Sequence, residues 1–140
     1  MDMLDILSVS ASGLTAQRVR MQAVASNMAN ARTTRTPEGG PYVRQMPVFE
    51  AVPQGFGDVL AESMSRVEVI GIEDSPDPPV LVYDPGHPDA DAEGYVLYPN
   101  VNILEEMVDM MTTARTYEAN TNVVKVTRDL ANAAMSIGRG

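Results

Sequence analysis

LDILSVSASGLTAQRVRMQAVASNM, residues 4–28, decides the architecture of this chain. Its apolar positions recur as Leu4, Leu7, Ala11, Leu14, Met21, Ala25 and Met28, and Arg18 takes the seam position between Leu14 and Met21. Steps of three and four residues average about 3.5, the period of a coiled-coil seam rather than the broader apolar face of a globular helix. Far along the chain the same rhythm returns as Ile103, Met107, Met110, Ala114, Tyr117, Val124, Ala131 and Met135, with Thr121 and Arg128 as polar insertions. The two stretches predict long terminal helices in segments 1–31 and 100–140, joined as an antiparallel coiled-coil-like pair. Seams of this kind need partners. The apolar seam residues, together with Arg18 and Arg128 as register-setting polar positions, are therefore candidate subunit contacts.

In the first turn of the N-terminal helix, Asp2 and Asp5 sit where carboxylates favour the positive end of the helix. Gly13 costs about 1 kcal/mol inside a helix, which either a close backbone approach by another helix or simple tolerance of the residue explains. Thr33, Thr34, Thr36 and the run Pro37-Glu38-Gly39-Gly40-Pro41 end the helix in a loop. Segment 32–99 then reads as that loop plus a small all-β middle domain, so the fold class is α+β. Its strands are expected at Tyr42–Val52, Ser65–Ile72, Val80–Tyr83 and Gly94–Tyr98, with Val80–Tyr83 pairing with Ser65–Ile72. Asn100 is the expected N-cap of the second helix, which runs to Ile137 and stops at Gly138. The β-branched run from Thr121 to Thr127 weakens that helix. A second apolar line, Val123, Val126, Leu130, Ala133 and Ile137, predicts that its last turns are covered on two sides.

The net charge of −9 is concentrated in the middle, where residues 47–99 hold eleven acids against Arg66 alone. That distribution argues against nucleic acid as a partner, because phosphate binding needs a basic stripe. No run of 18 apolar residues exists, so no direct membrane insertion is expected. Met1 to Leu7 holds two acids and no base, which does not suit a cleavable signal. With no cysteine, disulfides and thiolate metal ligands are excluded.

The densest polar cluster is Asp84 to Gly94. Asp89-x-Asp91-x-Glu93-Gly94 resembles the opening of a calcium loop, but Asn100 stands where the closing glutamate belongs. His87 is the only histidine, and its Pro and Gly neighbours suit a rigid surface turn better than zinc. There is no Gly-rich phosphate loop, no nucleophile elbow and no apolar cover to separate the pKa values of two acids. No catalytic, metal-binding or cofactor-binding residue is expected, and no cofactor. Met107, Met110 and Met111 read as core filling rather than a promiscuous groove.

Several strings carry a family resemblance. Ser8-Val9-Ser10-Ala11-Ser12-Gly13-Leu14-Thr15-Ala16-Gln17-Arg18 and Ala25-Ser26-Asn27-Met28-Ala29-Asn30-Ala31 resemble the N-terminal signature of bacterial flagellar rod and hook proteins. Thr34 to Tyr42, Asp84 to Pro88, Glu93 to Asn102 and Glu105 to Asn120 resemble the proximal-rod members of that family. The resemblance spans the chain. It implies a non-enzymatic structural subunit of the flagellar basal body, exported by the flagellar type III apparatus without a cleaved signal. It further implies partners among other rod subunits and copies of the chain itself, in a helical assembly forming the periplasmic drive shaft. A cytosolic export chaperone or helical adaptor is the rival from another class, disfavoured by the β-rich middle. A peptidoglycan-acting enzyme is a third, disfavoured by the lack of a buried acid pair. The residues also predict that the terminal helices order fully only on assembly, because one helix pair has too few neighbours to bury both apolar lines.

Overall fold

A computed structural model describes residues 3–53 and 65–138, with side chains from Asp5 onward at the N-terminal end. Asp2 and the side chain of Leu4 therefore lie outside the described residues. The element order is α1 (Met3–Ala29), β1 (Gln45–Pro53), β2 (Ser65–Asp74), β3 (Val80–Tyr83), β4 (Tyr95–Tyr98) and α2 (Ile103–Ile137). The α+β class and the two terminal helices are as expected, and no described helix is long and apolar enough to cross a membrane.

α1 and α2 run antiparallel. Asn27, near the end of α1, hydrogen-bonds Glu106 in the first turn of α2, and Gly13 sits against Asn120 further along. A Cβ on Gly13 would stand 3.0 Å from Asn120 Nδ2, so this glycine marks a close approach, the first of the two explanations of its helix cost. α2 begins at Asn102 rather than Asn100. Asn102 Oδ1 accepts from Leu104 N at 3.1 Å, its carbonyl accepts from Glu106 N at 3.0 Å, and its Nδ2 donates to Glu105 Oε1 at 3.0 Å. The cap thus satisfies the first free amides two residues later than expected. The run from Thr121 to Thr127 remains helical: Thr127 is buried and Val124 half-buried. Packing there overrides a weak propensity of a few tenths of a kcal/mol per residue.

Among the described residues the middle holds two separate two-stranded ribbons. β1 pairs with β2 antiparallel from Gln45↔Asp74 to Pro53↔Ser65, with Ile70 left unopposed at a bulge beside Val48 and Phe49. β3 pairs with β4, Val80↔Tyr98 to Tyr83↔Tyr95, so the expected partnership between Val80–Tyr83 and Ser65–Ile72 is overturned. The physical reason lies in the connections. Ser75 N donates to Arg44 O at 2.7 Å, ending the first ribbon, and the following Pro76, Pro78 and Pro79 supply no ladder donors. The second ribbon closes on itself instead: Asp84 N donates to Gly94 O at 2.9 Å, while Asp91 Oδ1 accepts from Glu93 N and Tyr95 N at 2.9 and 2.8 Å. Gly94 has φ +85, and a Cβ there would meet Tyr83 Cε2 at 3.0 Å and Pro85 Cβ at 3.1 Å. Only glycine fits both the backbone and the space.

The first ribbon docks on α1. Val67 N donates to Ser12 Oγ at 3.2 Å, and the Arg20 guanidinium lies 5.1 Å from the Phe49 ring centroid. The fully buried apolar residues among those described are Ala16, Ala23, Val24, Ala31 and Val96, four of them on or just beyond α1 and small. That core is thin for two helices of this length. The chain packs slim surfaces inward and leaves its large apolar side chains outside.

Candidate assembly interface

Where α1 ends and α2 begins, a buried polar junction ties three segments together. Asn27 and Glu106 are each 1% exposed. Asn27 Nδ2 donates to Gln45 O at 3.0 Å and to Glu106 Oε2 at 3.2 Å. Its Oδ1 accepts from Gln45 N at 2.8 Å and from the Tyr42 hydroxyl at 2.9 Å. The amide thereby fills both donor and both acceptor places, and it pairs with the backbone of Gln45 as a neighbouring strand would. Arg44 Nε donates to Glu106 Oε1 at 2.6 Å, and Ser26 Oγ lies 3.1 Å from Tyr42 Oη. Glu106 is thus both paired and hydrogen-bonded, the condition for keeping a carboxylate inside. This arrangement also explains why β1 starts at Gln45, later than the expected Tyr42: Tyr42 and Arg44 serve the junction, and Tyr42 N donates to Thr33 O at 3.0 Å.

The seam residues divide between faces. On α1, Ala11, Arg18 and Ala25 are exposed, and Leu7, Leu14, Met21 and Met28 are half-buried. The buried row is Ala16, Ala23 and Asn27, which at about 100° per residue lies nearly half a turn around the helix. The sequence-read seam of α1 therefore faces away from α2. On α2, Met110, Ala114, Tyr117, Val124 and Ala131 are half-buried on the side that faces α1, whereas Ile103, Met107, Arg128 and Met135 are exposed. The inward face of α2 is completed by Glu106, Thr113 and Thr127, spaced at multiples of seven and all buried. Sequence reading missed these positions, and Asn27 with them, because polar side chains give no apolar period. The spacing Glu106, Thr113, Asn120, Thr127 was the available signal.

A third surface is the outer ridge of α2. Leu104, Val108, Met111, Val123, Val126, Leu130 and Ile137 are 44% to 81% exposed. The expected second apolar line is thus uncovered within the single chain. A solitary exposed apolar residue needs no explanation, but a ridge along most of a 35-residue helix marks an interaction surface.

The polar loop after β3 is internally engaged. Asp89 accepts from Thr34 Oγ1 at 2.8 Å and sits 3.6 Å from Arg35, and His87 Nδ1 accepts from Asp89 N at 3.1 Å. Among the described residues no group of three His, Cys, Asp or Glu side chains is placed to hold a metal ion.

A family model described as flagella basal body rod protein matches residues 7–35, and one described as flagellar basal body rod FlgEFG protein C-terminal matches residues 92–137. The chain is 40% identical to the flagellar basal-body rod protein FlgC of Borreliella burgdorferi over 100% of both chains. It is 44% identical to the FlgC of Bacillus subtilis, covering 95% of this chain and 96% of the relative. The Salmonella typhimurium FlgC is 36% identical over 99% of this chain and 100% of the relative.

Proposed function

We propose, from the premise that this chain belongs to the flagellar basal-body rod protein family and is a structural rod protein rather than an enzyme, that it builds the proximal part of that rod. The observation that carries the reading is the outward apolar surface on both helices. Among the described residues, the α1 stripe through Leu7, Leu14 and Met21 has no partner helix, and neither does the Leu104 to Ile137 ridge of α2. In this reading the seam residues of both helices, from Leu4 to Met28 and from Ile103 to Met135, contact neighbouring copies and other rod subunits. The two helices of each subunit pack with those of neighbours into a helical tube, and the acidic middle faces outward.

Such a surface suits a part that travels unassembled. The flagellar type III apparatus exports the chain without a cleaved signal, and the rod forms in the periplasm. The polar junction orients the helices where they meet, while their remote ends order fully when neighbours cover them, as coupled folding and binding does. Arg18 and Arg128, both exposed in the single chain, then set register against those neighbours.

An in-frame deletion with fractionation of basal bodies tests the reading. Loss of rod and motility, with the wild-type chain recovered in purified basal bodies, supports it. Intact rods with the chain confined to the cytosol on an export substrate would make it a chaperone instead.

A further inference from the structure

The second ribbon carries a surface that the helix seams do not account for. Cross-strand partners share a face, so Leu81 with Leu97 and Tyr83 with Tyr95 form one apolar quartet on the β3–β4 ribbon. All four are exposed, between 37% and 65%, and the two tyrosine rings meet edge to face at 5.2 Å. Val96, on the opposite face, is 1% exposed, so the ribbon already has its inward side and the quartet is not its core. Acids outnumber bases beside it: Asp84, Asp89, Asp91 and Glu93 lie in the turn that joins the two strands, and Arg35, paired with Asp89, borders the same face.

The same chain offers the complement. Residues 6–37 hold Arg18, Arg20, Arg32 and Arg35 and no acid. Arg20 lies over Phe49, and Arg35 pairs with Asp89, whereas Arg18 and Arg32 have no ion-pair partner among the described residues. Arg18, Ala25 and Arg32 recur every seventh residue and are exposed, as is Ala29. Ala25 and Ala29 stand one turn apart at the end of α1, with Arg18 about 10 Å before Ala25 along the helix and Arg32 in the turn that follows it. Alanines leave room for protruding rings, and guanidinium groups are attracted to tyrosine faces and to surrounding carboxylates.

We propose that the Leu81, Tyr83, Tyr95, Leu97 face of one copy seats on the Ala25–Arg32 end of α1 in a second copy. This rests on the rod-subunit reading and names what meets one end of the α1 stripe. The contact is heterologous: each copy keeps one unused surface after pairing, so the contact propagates rather than closing into a dimer. The quartet offers on the order of 400 Å² of apolar surface, about half the ~800 Å² per partner of a stable interface, so the contact holds only as one of several within an assembly.

The cysteine-free chain permits a direct test. Two chains, one carrying Ala25→Cys and the other Leu97→Cys, are expressed together in a flagellated host whose own copy has been deleted. Basal bodies are purified, oxidised and run without reductant. A disulfide-linked dimer that requires both chains is the expected result, since the bond reads sulfurs on Cβ atoms about 4 Å apart. Rods that contain both chains but yield no such dimer overturn the proposal and leave the rod reading intact. Absence of wild-type chain from basal bodies fails the rod reading itself. Leu81→Glu gives an independent readout: an unchanged melt with incorporation into rods reduced at least tenfold is expected, and undiminished incorporation overturns the proposal.

Discussion

Replacing Asn27 with alanine removes the centre of the junction, and its cost can be worked from the contacts. The substitution orphans Gln45 N–H and Gln45 C=O, and it takes one donor from Glu106 Oε2. Tyr42 keeps Ser26 as a partner, and Glu106 keeps Arg44 through Oε1. A buried polar group left unsatisfied costs about 1–3 kcal/mol. Gln45 is only partly buried and stands at the low end of that range, whereas Glu106 stands at the high end. The expected loss is about 3–5 kcal/mol, large against the ~5–15 kcal/mol of a typical domain. At roughly 3–5 °C per kcal/mol for a chain of this size, the midpoint falls by about 10–20 °C. Thermal and urea melts of the purified chain, followed by circular dichroism, measure it. Asn27→Asp is the sharper control. It keeps the shape but turns two donors into acceptors, one of them 3.2 Å from a Glu106 carboxylate oxygen. It should cost at least as much as alanine at neutral pH. A loss below about 1 kcal/mol for Asn27→Ala, or an Asp variant clearly milder than the Ala variant, would refute the saturated-amide account.

Other outcomes follow from single contacts. Glu106→Gln keeps the shape but leaves Arg44 without its charged acceptor; a loss of about 1.5–3 kcal/mol is expected in the same melts. Gly94→Ala, placed at positive φ against Tyr83 and Pro85, should cost about 1–3 kcal/mol and broaden the amide resonances of the β3–β4 ribbon by NMR. Gly13→Ala gains about 1 kcal/mol of helix propensity, yet its methyl meets Asn120, so the net change alone stays well below that gain. Combining it with Asn120→Ala should reveal a coupling of about 0.5 kcal/mol or more in a double-mutant cycle. Leu130→Gln, on the exposed ridge of α2, should leave the melt within about 0.5 kcal/mol of wild type while lowering incorporation into basal bodies.

The sequence alone determined the two terminal helices, the α+β class and the bounds of β3, whereas Gly94, expected to open the last strand, stands at positive φ in the turn before it. The first three rest on local rules, namely apolar period and proline's missing donor, that need no knowledge of neighbours. Which strands pair was not legible. Val80–Tyr83 has similar apolar strands before and after it, and the choice fell to the Asp91 turn and the proline-rich link rather than to side-chain pattern. Which helix face points inward was not legible either. A seam period shows that a stripe will be covered but not by whom, and on α1 the most regular stripe turned outward. It took the folded chain to show that Ala16, Ala23 and Asn27 on α1 and Glu106, Thr113 and Thr127 on α2 are the buried positions, with Gly13 set against Asn120 and Asn27 bonded to Glu106. Small residues let the backbones close in, and polar ones become stable inside only when a distant segment supplies every hydrogen bond. Gln45 and Arg44 supply them here, from 18 and 62 residues away along the chain.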